Sequence, residues 1–142
     1  MFSSLSSRII IKNLTNSSMR ASSLSRAVLI NARYFATIRK FTSDHEWIEY
    51  NTDTKEGTIG ITNFAQSELG DIVHVDMPEI GSTLHKGDTA CGIESVKTAA
   101  DVYSPVSGDV IKQNDQIAKD PALLNHSAEK EGWLFRVKVN DP

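Results

Sequence analysis

Acidic residues are absent from everything before Asp44. No apolar run is long: the clusters Ile9 to Ile11 and Val28 to Ile30 are far too short to span a bilayer. There is one cysteine, Cys91, which excludes an internal disulfide. The four histidines (His45, His74, His85, His126) do not fall at metal-ligand spacing with Cys91 or with one another, which argues against a zinc site. No nucleophile elbow, phosphate-binding glycine loop or dinucleotide fingerprint occurs, and the glycines of "GDTACG" lack the helix a phosphate loop requires. These absences point away from an enzyme with its own active site.

The acid-free stretch is also basic and serine-rich. Met1 to Phe35 contains Arg8, Lys12, Arg20, Arg26 and Arg33, and nine serines. That is the composition of a mitochondrial transit peptide, which the membrane potential draws inward. A disordered basic tail with an acidic partner has similar charge, but the absence of acids across the whole segment favours the leader. "ARYFAT", with Arg33 just upstream of Phe35 and Ala36, resembles a matrix-processing site. The expected division is a removed leader over 1–35 and a carrier domain over 36–142, located in the mitochondrial matrix.

Residues 36–142 hold 10 Lys or Arg and 18 Asp or Glu, a net charge of −8 with His neutral. Such a domain is a poor candidate for nucleic acid or an anionic membrane. About a hundred residues suffice for a modest core without staples.

Short runs with strand character follow one another: "EWIEY", "GTIGIT", "DIVHVDM", "DTACGIES", "ADVYSP", "SGDVIKQ" and "WLFRVKV". In "DIVHVDM" the alternation predicts Val73, Val75 and Met77 on one face. In the last run it puts Phe135, Val137 and Val139 inward. Turn residues at short intervals predict an all-β barrel or sandwich. Two short helices are expected within it. "TNFAQSELG" has Thr62 as N-cap and Gly70 as its stop, and "DPALLNHS" has Asp120 as N-cap and Pro121 at N1.

"CGIESVKTAADVYSPVSGDV" places one lysine, Lys97, between two such runs, at the tip of a hairpin. Gly81 and Gly108 flank it and allow sharp bends with positive φ. A lysine in a turn is ordinarily just a solvated side chain. Here its neighbours Ser95, Val96, Thr98, Ala99 and Ala100 are small or short, so a modifying enzyme can approach. Glu94 and Asp101 frame it, three residues before and four after. An exposed lysine can be acylated, which removes its charge. "DHEW" (Asp44 to Trp47) offers two carboxylates and a histidine, but acids at a strand start are usually only solvated.

"GIESVKTAADVYSPVSGDV" resembles the lipoyl-lysine segment of the glycine cleavage H-protein family. "SDHEWIEY", "GTIGITNFAQSELGDIVHVDMPEIG" and "EGWLFRVKV" resemble that family's opening strand, central block and last strand, so the likeness runs from Arg39 to Val139. The resemblance implies a lipoyl-domain-like barrel-sandwich hybrid of two antiparallel sheets. It implies (R)-lipoate attached to Lys97, with Glu94 and Asp101 as recognition residues for the lipoylating enzymes. The implied partners are a pyridoxal-phosphate-dependent glycine decarboxylase, a tetrahydrofolate-dependent aminomethyltransferase and dihydrolipoamide dehydrogenase, with no nucleic acid or membrane. It also implies a cleft for the arm, with Glu46 as the carboxylate and Asp44, Ile61 and Glu68 beside it. Family members carry a further helix after the last strand, whereas this sequence stops at Pro142. Some uncovered surface and weaker shuttling are therefore expected, with a role as lipoyl donor to other proteins less affected.

Three other readings compete. Lipoyl domains of 2-oxo acid dehydrogenases and biotin carriers read "TDKA" or "AMKM" where this chain has "SVKT", and lack the "DHEW" and "FAQSELGD" blocks. An unmodified interaction domain of the same fold would leave Lys97 bare. A hydrolase or transferase built on "DHEW" would be active without lipoate.

Overall fold

The computed structural model describes residues 36–141, and the proposed leader lies outside the described residues. The compact unit to which they belong begins at Ala36. It is built mainly of β-strands: β1 (Thr37–Phe41), β2 (Glu46–Asn51), β3 (Glu56–Ile61), β4 (Ile72–Asp76), β5 (Thr83–Leu84), β6 (Thr89–Ser95), β7 (Ala99–Tyr103), β8 (Ser107–Gln113) and β9 (Phe135–Asp141). Three short helices interrupt them: α1 (Asn63–Leu69), α2 (Asp115–Lys119) and α3 (Leu123–Ser127). One antiparallel sheet has the order β1-β2-β3-β9-β8-β5 and the other β4-β6-β7. Among the described residues, no helix is long and apolar enough to cross a membrane.

Both sheets contribute to one core. Ile59, Ile93, Ile117, Leu124, Leu134, Phe135 and Val137 are essentially inaccessible. The alternation read in the last strand holds: Phe135, Val137 and Val139 are buried and Lys138 is exposed. The alternation read in β4 does not. A register shift between Ile72 and His74 inserts an extra residue, so Ile72 and Val75 are buried and Val73 is 53 % exposed. A bulge of this kind breaks the period of two.

The helix signals divide in the same way. Thr62 Oγ1 accepts from Ala65 N at 3.1 Å, and Gly70 ends α1 at φ 78°, as expected. Asp120 and Pro121 instead form a turn. Asp120 Oδ1 accepts from Ala122 N at 3.2 Å, and the helix proper starts at Leu123. The additional helix, α2, is capped by Asn114, whose Oδ1 accepts from Gln116 N. Of the two flanking glycines, Gly81 has φ 90°. Gly108 does not adopt positive φ. It is needed because a Cβ there would lie 2.3 Å from the Lys138 carbonyl oxygen on the paired strand.

Cys91 is part of the core. Burial, with the charge of Asp76 adding, pushes its thiol up from 9.0 to about 12. The unfolded thiol ionises near pH 9 and the folded one only near pH 12. Its contribution to stability is therefore complete below about pH 9 and is lost as pH rises toward about 12. A maleimide at neutral pH should leave the native protein unlabelled and label it on denaturation. Rapid native labelling would contradict this account.

Candidate functional site

Lys97 occupies the turn between β6 and β7 and is exposed. The turn is locked by its own short side chain. Ser95 Oγ accepts from Lys97 N at 3.3 Å and Thr98 N at 3.1 Å, and donates to Thr98 O at 3.0 Å. Below it, Ser95 N donates to Thr98 O at 2.8 Å. Val96 N donates to Asp71 O at 2.9 Å and ties the tip to the loop after α1. Ser95 thus serves the turn itself as well as access.

The lysine stem leans on the end of α1. Cε and Cδ of Lys97 lie 3.6 and 3.9 Å from where a Gly70 Cβ would stand. Those are ordinary contact distances, so glycine is needed here for the positive φ that ends the helix and not to make room for the stem. Asn125 holds this platform. Its Oδ1 accepts from Ile72 N at 2.9 Å, and its Nδ2 donates to Gly70 O at 2.8 Å and to Gln66 Oε1 at 3.0 Å.

Beside the platform is a cavity of about 200 Å³, lined by Asp44, His45, Glu46, Ile61, Phe64, Ala65, Glu68, Leu69, Ile93, Ala100, Asp101 and Val102. Asp44, Glu46, Ile61 and Glu68, the residues expected around a cleft, thus come together. The lining contains four carboxylates and no lysine or arginine. It is smaller than the roughly 300–1,000 Å³ of ordinary ligand pockets, so it suits the end of a slender arm better than a whole cofactor. His45, in a left-handed conformation at φ 67°, rests against Phe64 with ring centroids 4.6 Å apart and forms one wall.

Glu46 differs from the solvated acid that "DHEW" suggests: it is 3 % exposed. One carboxylate oxygen accepts from the Thr42 hydroxyl and the other from Tyr103 N at 3.1 Å. It joins β2 in one sheet to β7 in the other. Asp44, Glu68 and Asp101 are exposed and carry no such load.

Glu94 and Asp101 do not frame the lysine as a matched pair. In register Glu94 faces Ala99, whereas Asp101 faces Gly92 and joins the cavity lining. Phe64, Ala65, Leu69 and Asn125 were not singled out in the sequence, and His45 was read only as part of "DHEW". The spacing of Phe64, Ala65 and Glu68 on one turn-and-a-bit of helix is the signal that would have found three of the lining residues.

Two antiparallel sheets, a hairpin that presents one lysine, and an acidic cavity lined in part by the strands of that hairpin define a carrier domain rather than an enzyme. The glycine cleavage H-protein model matches residues 39–142. The chain is 50 % identical over 101 residues to the glycine cleavage system H protein of Bartonella quintana, covering 71 % of this chain and 81 % of that one. It is 46 % identical over 104 residues to the protein of the same name from Thermotoga maritima, covering 73 % and 82 %. A crystal structure of a glycine cleavage system H protein from Mycobacterium marinum superposes with a TM-score of 0.69 at 36 % identity, covering 72 % of this chain and 84 % of that one. The chain belongs to the glycine cleavage H-protein family, a carrier component of that system and not itself a catalyst.

Proposed function

We propose that Lys97 carries (R)-lipoate in amide linkage and that the chain works as a shuttle in the mitochondrial matrix. It would receive the aminomethyl group of glycine from the pyridoxal-phosphate-dependent decarboxylase. It would deliver that group to the tetrahydrofolate-dependent aminomethyltransferase, and be reoxidised by dihydrolipoamide dehydrogenase. The observation that carries this reading is the placement of the Lys97 stem beside Gly70, at the end of the helix that also lines the acidic cavity.

When attached, the lipoyl group supplies a disulfide that accepts the one-carbon cargo and is reduced in doing so. The chain's own residues position and protect. Ser95 fixes the point of attachment. Gly70 and Asn125 give the stem a surface to lie on. The carboxylates of Asp44, Glu68 and Asp101 are placed to pair with a cargo ammonium, as ionised pairs form strong hydrogen bonds. Ile61, Phe64, Leu69 and Ile93 exclude water from a cargo that water would release. Glu94, exposed beside the tip and outside the cavity, is left to meet the lipoylating enzymes.

The test is the intact mass of the protein purified from its own mitochondria, with peptide mapping across Lys97. One lipoyl amide on Lys97, in a chain starting near Ala36, is the expected result. A bare lysine in a processed chain would overturn the shuttle reading and favour an unmodified interaction domain. A lipoylated protein that supports lipoylation of other proteins but not glycine cleavage would assign the donor role instead.

A further inference from the structure

The six-stranded sheet carries its charges in cross-strand rows. One row runs Glu56, Lys138, Asp109, Thr83, so Lys138 has an acid on each neighbouring strand. The adjacent row runs Arg39, Glu49, Thr58, Arg136, Lys112. There Arg39 and Glu49 pair, with Nε and Oε2 3.4 Å apart. Arg136 has Thr58 on one side and Lys112 on the other. Like charges directly opposite each other on a sheet repel, and the row's one acid, Glu49, is paired with Arg39.

The surroundings of Arg136 compound the imbalance. Its guanidinium lies 4.7 Å from the centre of the Trp133 ring, and Lys112 Nζ lies 5.9 Å from the same ring. Arg136 Nε is buried and has no hydrogen-bond partner among the described residues. A cavity of about 300 Å³ opens beside it, lined by Arg39, Trp47, Glu49, Thr58, Glu129, Lys130, Trp133 and Arg136. Both acids in that lining are engaged. Glu49 faces Arg39, and Glu129 Oε1 accepts from Asn63 N at 2.9 Å. Arg136 and Lys130 line the cavity with no ion-pair partner among the described residues.

We infer that Arg136, backed by the Trp133 indole, and Lys130, which lines the same cavity, form a binding site for an oxyanion, a carboxylate or a phosphate. A planar guanidinium fixed against an aromatic face presents its free N–H groups in the fork that such anions accept. A bound anion relieves the repulsion of the row. Lys112 lines a different cavity, with Asp115 and Glu131. The site lies on the sheet that does not carry Lys97, and its occupancy is independent of the carrier reading.

The test is an NMR titration of the full ¹⁵N-labelled chain with inorganic phosphate and, separately, with glutarate, against sodium chloride at equal ionic strength. Saturable movement of the Trp133 indole N–H and Arg136 Nε–H signals is expected with at least one oxyanion and not with chloride. Saturation by phosphate alone assigns a phosphate, and by glutarate alone a carboxylate. Lys130 is exposed, so Lys130→Gln should fold normally and raise the half-saturation concentration about tenfold. Linear shifts matched by chloride, or unchanged saturation in Lys130→Gln, would overturn the site.

Discussion

Lys97→Arg should carry no lipoyl group and support no glycine cleavage, while melting within a degree or two of the unsubstituted protein. Arginine keeps the charge and most of the stem but has no amine to acylate. The position is exposed, and the turn is held by Ser95 and by backbone groups that the substitution leaves alone. Surface substitutions of this sort change stability by about 0.5 kcal/mol or less. Intact mass, a melting curve and a reconstituted assay with the partner enzymes measure the three expectations together. Normal cleavage by the variant would sink the carrier role of this lysine. A loss of activity accompanied by a large fall in melting temperature would show that the tip does more for the fold than its exposure suggests.

Glu46→Ala should unfold far more easily than the parent. The resemblance makes the residue the carboxylate of the arm's cleft, and on that ground alone its removal should spare lipoylation and shorten the life of the loaded arm. Its surroundings add a structural role. The substitution removes the acceptor of Tyr103 N and of the Thr42 hydroxyl, and with them a link between the two sheets. A hydrogen bond to a charged group contributes about 1.5–3 kcal/mol, and a buried donor left unpaired adds its own penalty. A total near 3 kcal/mol lowers the melting temperature of a domain this size by about 10 °C or more. Glu46→Gln keeps an acceptor for Tyr103 N and a group that can bond the Thr42 oxygen, so it should recover most of that loss. It removes only the charge. A shortened lifetime of the loaded arm in the stable Gln variant would assign the charge to the arm. An unchanged lifetime would leave the cargo to Asp44, Glu68 and Asp101. Equal melting of Ala and Gln variants would refute the link between the sheets.

Strands with one buried face were legible because burial imposes a period of two, as in Phe135, Val137 and Val139. β1 was not, since all five of its residues are exposed and no face is selected. β5 has two residues, too few to show any period. β4 misled because its bulge shifts the buried set from alternate positions to Ile72 and Val75. The five-residue α2 is shorter than two helical turns, and its only strong signal was the cap Asn114. Lys97 could be found from its isolation between two strand-like runs. The cavity could not, because its walls come from segments far apart in sequence. Resemblance rather than spacing picked out Asp44, Glu46, Ile61 and Glu68. Asn125 reaches Gly70 and Ile72 across more than fifty positions, and nothing local to "LLNHS" announces such a contact.

The Ser95 clasp has a consequence for how an arm on Lys97 would compete for its two destinations. A fixed pivot confines the motion to the tether, so capture by the neighbouring cavity is a unimolecular event. Its effective concentration is set by reach and stiffness, not by how much protein is present. A pocket of modest intrinsic affinity can then hold the arm for most of the time at any dilution. Release must come from a partner that either occupies the cavity's mouth or offers the arm a deeper well. With an arm on Lys97, the rigidity of one serine-locked turn would make the protected state a property of the single molecule, and the exposed state a property of the encounter.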